Sequence, residues 1–348
     1  MNFDLNTIWF ILVGVLFTGY AILDGFDLGI GALHLFTSDD TERRTLINAI
    51  GPVWDGNEVW LIAAGGTLYF AFPQLYASSF SGFYLPLMMV LWLLMMRAIG
   101  IEFRAHIAVP VWQEFFDVLF AVSSILLCVF FGAALGNVVR GVPLDATGYF
   151  FEPLWTNFKL GAQTGILDWY TILIGVLALV TLAAHGSHYI GLKTDEDLGR
   201  RARGIALLCW PLQFFLTCIS LLATYFIRPE VMANYANHKI GILVPILVFS
   251  SLGVMLWATP KGKEKTAFMA SSLYIAGMLV GAAFALYPVV LPARDHQYDL
   301  TIENTSAGVH GLTVGLIWWC MGAVLALGYF VFVYRMFRGK VQTGEGHY

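Results

Sequence analysis

Charge is scarce in this sequence. Of 348 residues only 12% are Asp, Glu, Lys or Arg, against about 25% in a soluble domain. Hydrophobic residues make up 58%, and the mean hydropathy is +0.73. These values exclude an ordinary soluble chain and describe a polytopic membrane protein. Strictly alternating apolar runs are missing, which excludes a transmembrane β-barrel. The N-terminus MNFDLN holds no Lys or Arg, and the apolar run after it is longer than a signal-peptide core, so it reads as a retained first helix. Cysteine is sparse: Cys128, Cys209, Cys218 and Cys320 are isolated in apolar stretches without a CxxC pair. They read as small buried apolar residues rather than disulfides or metal ligands. No dinucleotide, Walker or nucleophile motif occurs in a suitable context, and no nucleic-acid partner is expected. None of the eight histidines lies near the middle of an expected span, which argues against haem held between helices of this chain.

What is present is a series of long apolar runs. About 20 mostly apolar residues cross a bilayer, and nine segments qualify: 8–36, 52–72, 76–97, 115–139, 166–192, 203–227, 240–259, 267–291 and 309–336. With the N-terminus outside, fourteen of the 19 Lys and Arg fall on inner segments and five on outer ones. Positive residues collect inside, so the expected topology is N-out, C-in. The expected fold is all-α, two four-helix bundles plus one additional helix. Residues 1–139 supply the first four spans, 140–165 an outside loop, and 166–291 the second four. Residues 292–348 supply an outside loop, the ninth helix and a polar inner tail.

Against this background a few polar residues stand out. ILDGFDLGIG in the first run places Asp24 and Asp27 three apart, on one helix face, with glycines that permit close helix approach. GPVWDGNEVWLIAAGG opens the second run with Asp55 and Glu58, again three apart, framed by Trp54 and Trp60. In the expected topology Asp24, Asp27, Asp55, Glu58, Arg97, Asp117, His185 and His188 fall at one depth near the inner face. Acidic residues at helix starts complement the helix dipole, and Trp anchors at interfaces; that accounts for Asp55, Glu58 and Asp117 taken singly. It does not account for Asp24 and Asp27, near the end of their helix, which need a partner such as Arg97 or a proton. Charged side chains inside a membrane are costly and mark ion or proton pathways. His185 and His188 form a conceivable metal pair, but hydrogen bonding is the commoner use of such a pair.

DGFDLGIG, DTERRTLINAIGPVWDGNEVWLI, FSGFY and RAIGIEFR, with GNVVRGVP and FALYPVVLP further on, resemble subunit II of cytochrome bd-type quinol oxidases. The resemblance implies a subunit of a terminal oxidase of the bacterial cytoplasmic membrane that oxidises quinol and reduces dioxygen to water. It implies that haem b and haem d reside in a paralogous partner, subunit I, and that subunit II packs against it. A structural quinone, membrane lipids and small single-helix accessory subunits are further expected associates. Asp27, Asp55, Arg97 and Asp117 match family positions in the polar layer, and Trp60 matches a Trp near a proposed oxygen route. Glu58 stands where some relatives have Gln. Two other readings compete on the residues alone. A proton-coupled transporter would favour broken helices, a midplane site and inverted repeats; a scaffold subunit would use its carboxylates only to satisfy helix ends.

Overall fold

A computed structural model describes residues 4–37, 39–161 and 163–341. Twelve helices are present among them: α1 (Leu5–Leu33), α2 (Asp40–Ile50), α3 (Trp54–Ala71), α4 (Pro73–Gly82), α5 (Tyr84–Phe103), α6 (Pro110–Arg140), α7 (Trp169–Lys193), α8 (Glu196–Ile227), α9 (Val231–Asn237), α10 (Leu243–Ala258), α11 (Glu264–Leu286) and α12 (Val309–Met336). A short antiparallel pair, β1 (Val289–Leu291) with β2 (Leu300–Thr301), lies between α11 and α12. The polar tail expected after the last span lies, from 342 onward, outside the described residues.

Eight of these helical segments are long and apolar enough to cross a membrane, namely those containing α1, α5, α6, α7, α8, α10, α11 and α12. Segment 52–72 becomes α3, which has 18 residues and opens on the polar turn Trp54–Glu58; it is not among the eight. Segment 76–97 differs from expectation. Pro73 starts a separate helix, α4, and the chain restarts at Tyr84. Arg97 therefore does not close its helix: it lies six residues before the end of α5 and is fully buried.

Caps and prolines set the helix limits. The Asp4 side chain accepts from the Thr7 backbone at 2.8 Å, Asp195 accepts from Leu198, and Asp168 caps α7 through Tyr170 and Thr171. Each supplies an acceptor for backbone donors left over in a first turn. Pro110 occupies the first turn of α6, where its missing N–H costs nothing.

The bundle centre is α1, packed on α3, α6, α7 and α11. Its contact with α7 is made through glycine. A Cβ on Gly29 would lie 1.9 Å from the Leu182 carbonyl oxygen, and one on Gly186 would lie 2.6 Å from the Gly29 carbonyl carbon. Only glycine permits that approach, as in close membrane helix pairs. It places the polar second half of α1 deep inside the fold, against α3, α5 and α7.

Candidate functional site

Three ion-pair clusters are built on this frame. The first surrounds Arg97. From α5 its Nη1 donates to Asp24 Oδ1 of α1 at 2.7 Å, and its Nη2 donates to Glu58 Oε2 of α3 at 2.9 Å. One turn along α1, Asp27 Oδ2 accepts from Asn57 Nδ2 at 2.8 Å. The Asn57 amide also donates to the Leu23 carbonyl, and its Oδ1 accepts from the Tyr334 hydroxyl of α12 at 2.7 Å. Asp24, Asp27, Asn57 and Arg97 are fully buried, whereas the Glu58 side chain is 20% exposed. Asp24 Oδ2, Asp27 Oδ1 and Arg97 Nε have no hydrogen-bond partner among the described residues. One guanidinium thus bridges two carboxyl groups, with Asp27 one turn away on Asn57.

The outer edge of this cluster is open. A cavity of about 280 Å³ is lined by Trp54, Asp55, Glu102, Phe330 and Tyr334, among others. Asp55 is exposed at its wall. Trp54 is buried and lies under the Arg97 guanidinium, 6.0 Å from ring centre to charge. Trp60 lies behind one wall of this cavity, edge-on to its lining residue Phe330 and pressed against Gly19.

Asp117 belongs elsewhere. The layer expected at one depth divides in two, because Asp117 bonds His34, ten positions beyond Asp24 and just past the end of α1, about 15 Å away at helical rise. It accepts from Arg104 Nε at 2.5 Å and Arg43 Nη1 at 3.1 Å, and it bonds His34 Nε2 at 2.5 Å. Arg104 also binds Asp40 of α2 at 2.7 Å. That bond holds the Asp40 carboxyl below its ordinary pKa. This second cluster ties α2 and the α5–α6 turn to the end of α1.

The third cluster lies at the opposite end of the bundle, where α1 starts. Arg140, last residue of α6, donates to Asp168 and Glu152, to Asn137 Oδ1 at 2.7 Å and to the Gly165 carbonyl at 3.1 Å. Arg294 also binds Glu152. Burial pushes the Glu152 carboxyl up, against the pull of Arg140 and Arg294. Irregular loop 141–168 is thereby fastened to α6, α7 and the strand pair.

Asn57, Tyr334, Arg104 and the Arg140 group were not selected by reading the sequence. Asn57 stands beside Glu58 in the quoted motif. Asn137 and Arg140 are three apart on the last turn of α6, a spacing that marks them as neighbours. Nothing in the sequence places Tyr334, some 270 residues away, against Asn57.

Comparison with known proteins gives the family of the chain. Residues 5–337 match the cytochrome bd terminal oxidase subunit II family. The chain belongs to that family. It is 31% identical to subunit 2 of the cytochrome bd-I ubiquinol oxidase of Escherichia coli K12, over 90% of this chain and 89% of that one. It is 32% identical to subunit 2 of the Bacillus subtilis cytochrome bd ubiquinol oxidase, over 98% of both. The fold is similar to that of the bd oxidase of Geobacillus thermodenitrificans, with a TM-score of 0.78 and 16% identity, covering 96% of this chain and 98% of that one. The chain is accordingly one subunit of a quinol oxidase complex, an oxidoreductase of the bacterial cytoplasmic membrane.

A bd oxidase contains haem, and subunits II of this family partner with a subunit I. Among the described residues the buried His34 and His185 are already held by partners of this chain and do not fit the group. His185 is bonded through Nδ1 to Ser271 Oγ at 2.7 Å and through Nε2 to the Ile22 carbonyl at 3.0 Å, and its ring stacks on Phe268. His188 is buried one turn on, in the half of α7 that the Gly29–Gly186 contact closes against α1. His34 is held by Asp117. No three His, Cys, Asp or Glu side chains among the described residues converge in a metal-binding group. Expressed without subunit I, the purified chain is expected to lack a Soret band. A stoichiometric haem lost on replacing His185 or His188 would contradict this.

Proposed function

We propose that this subunit supports a quinol-oxidising, dioxygen-reducing complex in two ways: it packs against a subunit I that carries haem b and haem d, and it admits protons to the reaction from the cytoplasm. The Arg97 cluster carries the second part. Three carboxyl groups around one permanently charged guanidinium can gain and lose protons while the cation stays in place. Two carboxylate oxygens there lack hydrogen-bond partners among the described residues, and the exposed Asp55 stands on the wall of the neighbouring cavity. The route runs from Asp55 past Glu58 to Asp24 and Asp27. Trp54 covers the guanidinium along it, and Trp60 stands at the side, as a candidate for oxygen access. Asp117, paired with two arginines and a histidine, acts as a tie between segments at the end of α1. On this reading α3 is the ninth span, the N-terminus is outside, and Asp55 opens inward. The halves 1–139 and 166–291 serve as two four-helix groups joined through α1 and α7. A structural quinone and single-helix accessory subunits complete the proposed complex.

Asp55→Asn tests the proton route. Direct proton transfer by a side chain contributes about 10²–10⁴-fold to a rate; an exposed entry group is partly replaced by water, so a loss of about tenfold in oxygen consumption is expected. Assembly and haem content should be unchanged. Normal turnover of the Asn variant over a wide pH range would remove Asp55 from the route and send the protons through the partner.

A further inference from the structure

The turn between α10 and α11 carries cations that the proposed function does not use. Its sequence is WATPKGKEK, residues 257 to 265. Lys261 and Lys263 both lie over the Trp257 ring, with their ammonium groups 4.6 and 4.2 Å from its centre. Gly262 between them adopts the left-handed conformation at φ 64°, which turns both side chains to the same ring. The one carboxylate of the segment, Glu264, is taken by Arg203 of α8. None of Lys261, Lys263 and Lys265 forms an ion pair among the described residues. Two like charges are therefore gathered on one indole with no anion between them.

Beneath this crown the surface is apolar. Trp257 is 48% exposed at the end of α10, and Ile246, Phe249 and Val254 of the same helix are exposed as well. On α11, Lys265, Met269 and Leu273 follow at intervals of four, all exposed, so that one cation tops an apolar stripe. Helix-end lysines alone would complement the helix dipole and need no shared ring. A phosphate above an exposed apolar stripe, flanked by ammonium groups at the depth of an interfacial Trp, is the outline of a phospholipid.

We infer that the α10–α11 turn is a binding site for an anionic phospholipid, its phosphate held by Lys261 and Lys263 above Trp257 and its acyl chains lying along α10 and α11. The occupant is a lipid rather than free phosphate because the stripe continues from the cations into the apolar surface.

The test uses the purified oxidase complex. Detergent-solubilised complex is loaded with phosphatidylglycerol, or separately with phosphatidylcholine, and retained lipid is counted by native mass spectrometry. The wild type should keep one more phosphatidylglycerol than Lys261→Gln/Lys263→Gln, at equal haem content, and no additional phosphatidylcholine. Trp257→Leu keeps both charges and should reduce retention several-fold. Millimolar inorganic phosphate should not displace the lipid. Equal phosphatidylglycerol retention in wild type and double variant, equal retention of phosphatidylcholine, or displacement by inorganic phosphate would each overturn the proposal. Should the double variant fail to assemble, Lys261→Gln and Lys263→Gln are measured singly, each expected to lose part of the retained lipid; full retention in both would overturn it equally.

Discussion

Replacing Arg97 by Met should prevent stable assembly of the subunit. The substitution leaves Asp24 without its ion-pair partner inside the fold and Glu58 without its hydrogen bond to the guanidinium. Removing one partner of a buried pair costs about 3–5 kcal/mol, chiefly because the other charge stays buried and uncompensated. Much of that is a large part of the 5–15 kcal/mol that typically holds a fold. Glu58, 20% exposed, contributes less than Asp24 because water reaches it. Arg97→Lys retains a charge but cannot bridge two carboxylates with a rigid fork, so an intermediate loss is expected. The double substitution Arg97→Met/Asp24→Asn should recover part of the stability, since it removes the stranded carboxylate. Yield of intact complex and its thermal midpoint are the measurements. An Arg97→Met complex as stable as the wild type would mean that the partner subunit or water, not Arg97, neutralises the cluster.

Arg140→Met should release loop 141–168 at the other end of the bundle. Arg140 satisfies Asp168, Glu152, Asn137 and the Gly165 carbonyl at once, so its loss strands the buried Asp168 carboxylate and leaves Glu152 with Arg294 alone, at a cost again on the order of 3–5 kcal/mol. The sign of the pH effect follows from Glu152. Burial raises its carboxyl above the ordinary 4.5 in the folded chain. A group raised in this way stabilises most fully below its unfolded value, and the contribution is lost as pH rises through the folded one. Without Arg140 one of the two arginines that oppose the rise is missing, and the loss with pH should be greater. Limited proteolysis of the loop at pH 5 and pH 8 measures this: cleavage should be faster in the variant, and more so at pH 8. Protection equal to wild type at both values would show that Arg294 and the strand pair hold the loop unaided.

Much of this protein could be read from its residues because the bilayer imposes a strong, local rule. A spanning segment must be long and apolar whatever it packs against, so the spans beginning near Trp169, Leu243 and Val309 stand out without any knowledge of neighbours. The same rule makes every intramembrane charge conspicuous, so Asp24, Asp27, Glu58 and Arg97 stand out, though within a larger set of eight that also holds Asp55, Asp117, His185 and His188. Motifs such as DGFDLGIG carry the family resemblance for a related reason: the glycines and carboxylates have to stand at fixed spacing on one helix.

Pairing is a different matter, since it depends on rotation and depth that periodicity leaves open. Patterning alone sets Asp117 at the depth of Asp24 and Arg97, but the packing of α6 on α1 and α5 directs it to Arg104, Arg43 and His34 instead. The break at Pro73 and Tyr84 shifts α5 along the chain and buries Arg97 six residues from its end, where the sequence suggested a boundary. The contact of Tyr334 with Asn57 and the collection of Glu152, Asp168 and Arg294 on Arg140 join segments separated by up to 277 positions. From the sequence alone come the membrane class, most of the spans and the identity of the costly charges, because those follow from each residue's own transfer free energy. The tertiary structure decides which charges share a partner and which carboxylate faces an open cavity, because those depend on where distant helices come within a hydrogen bond of each other.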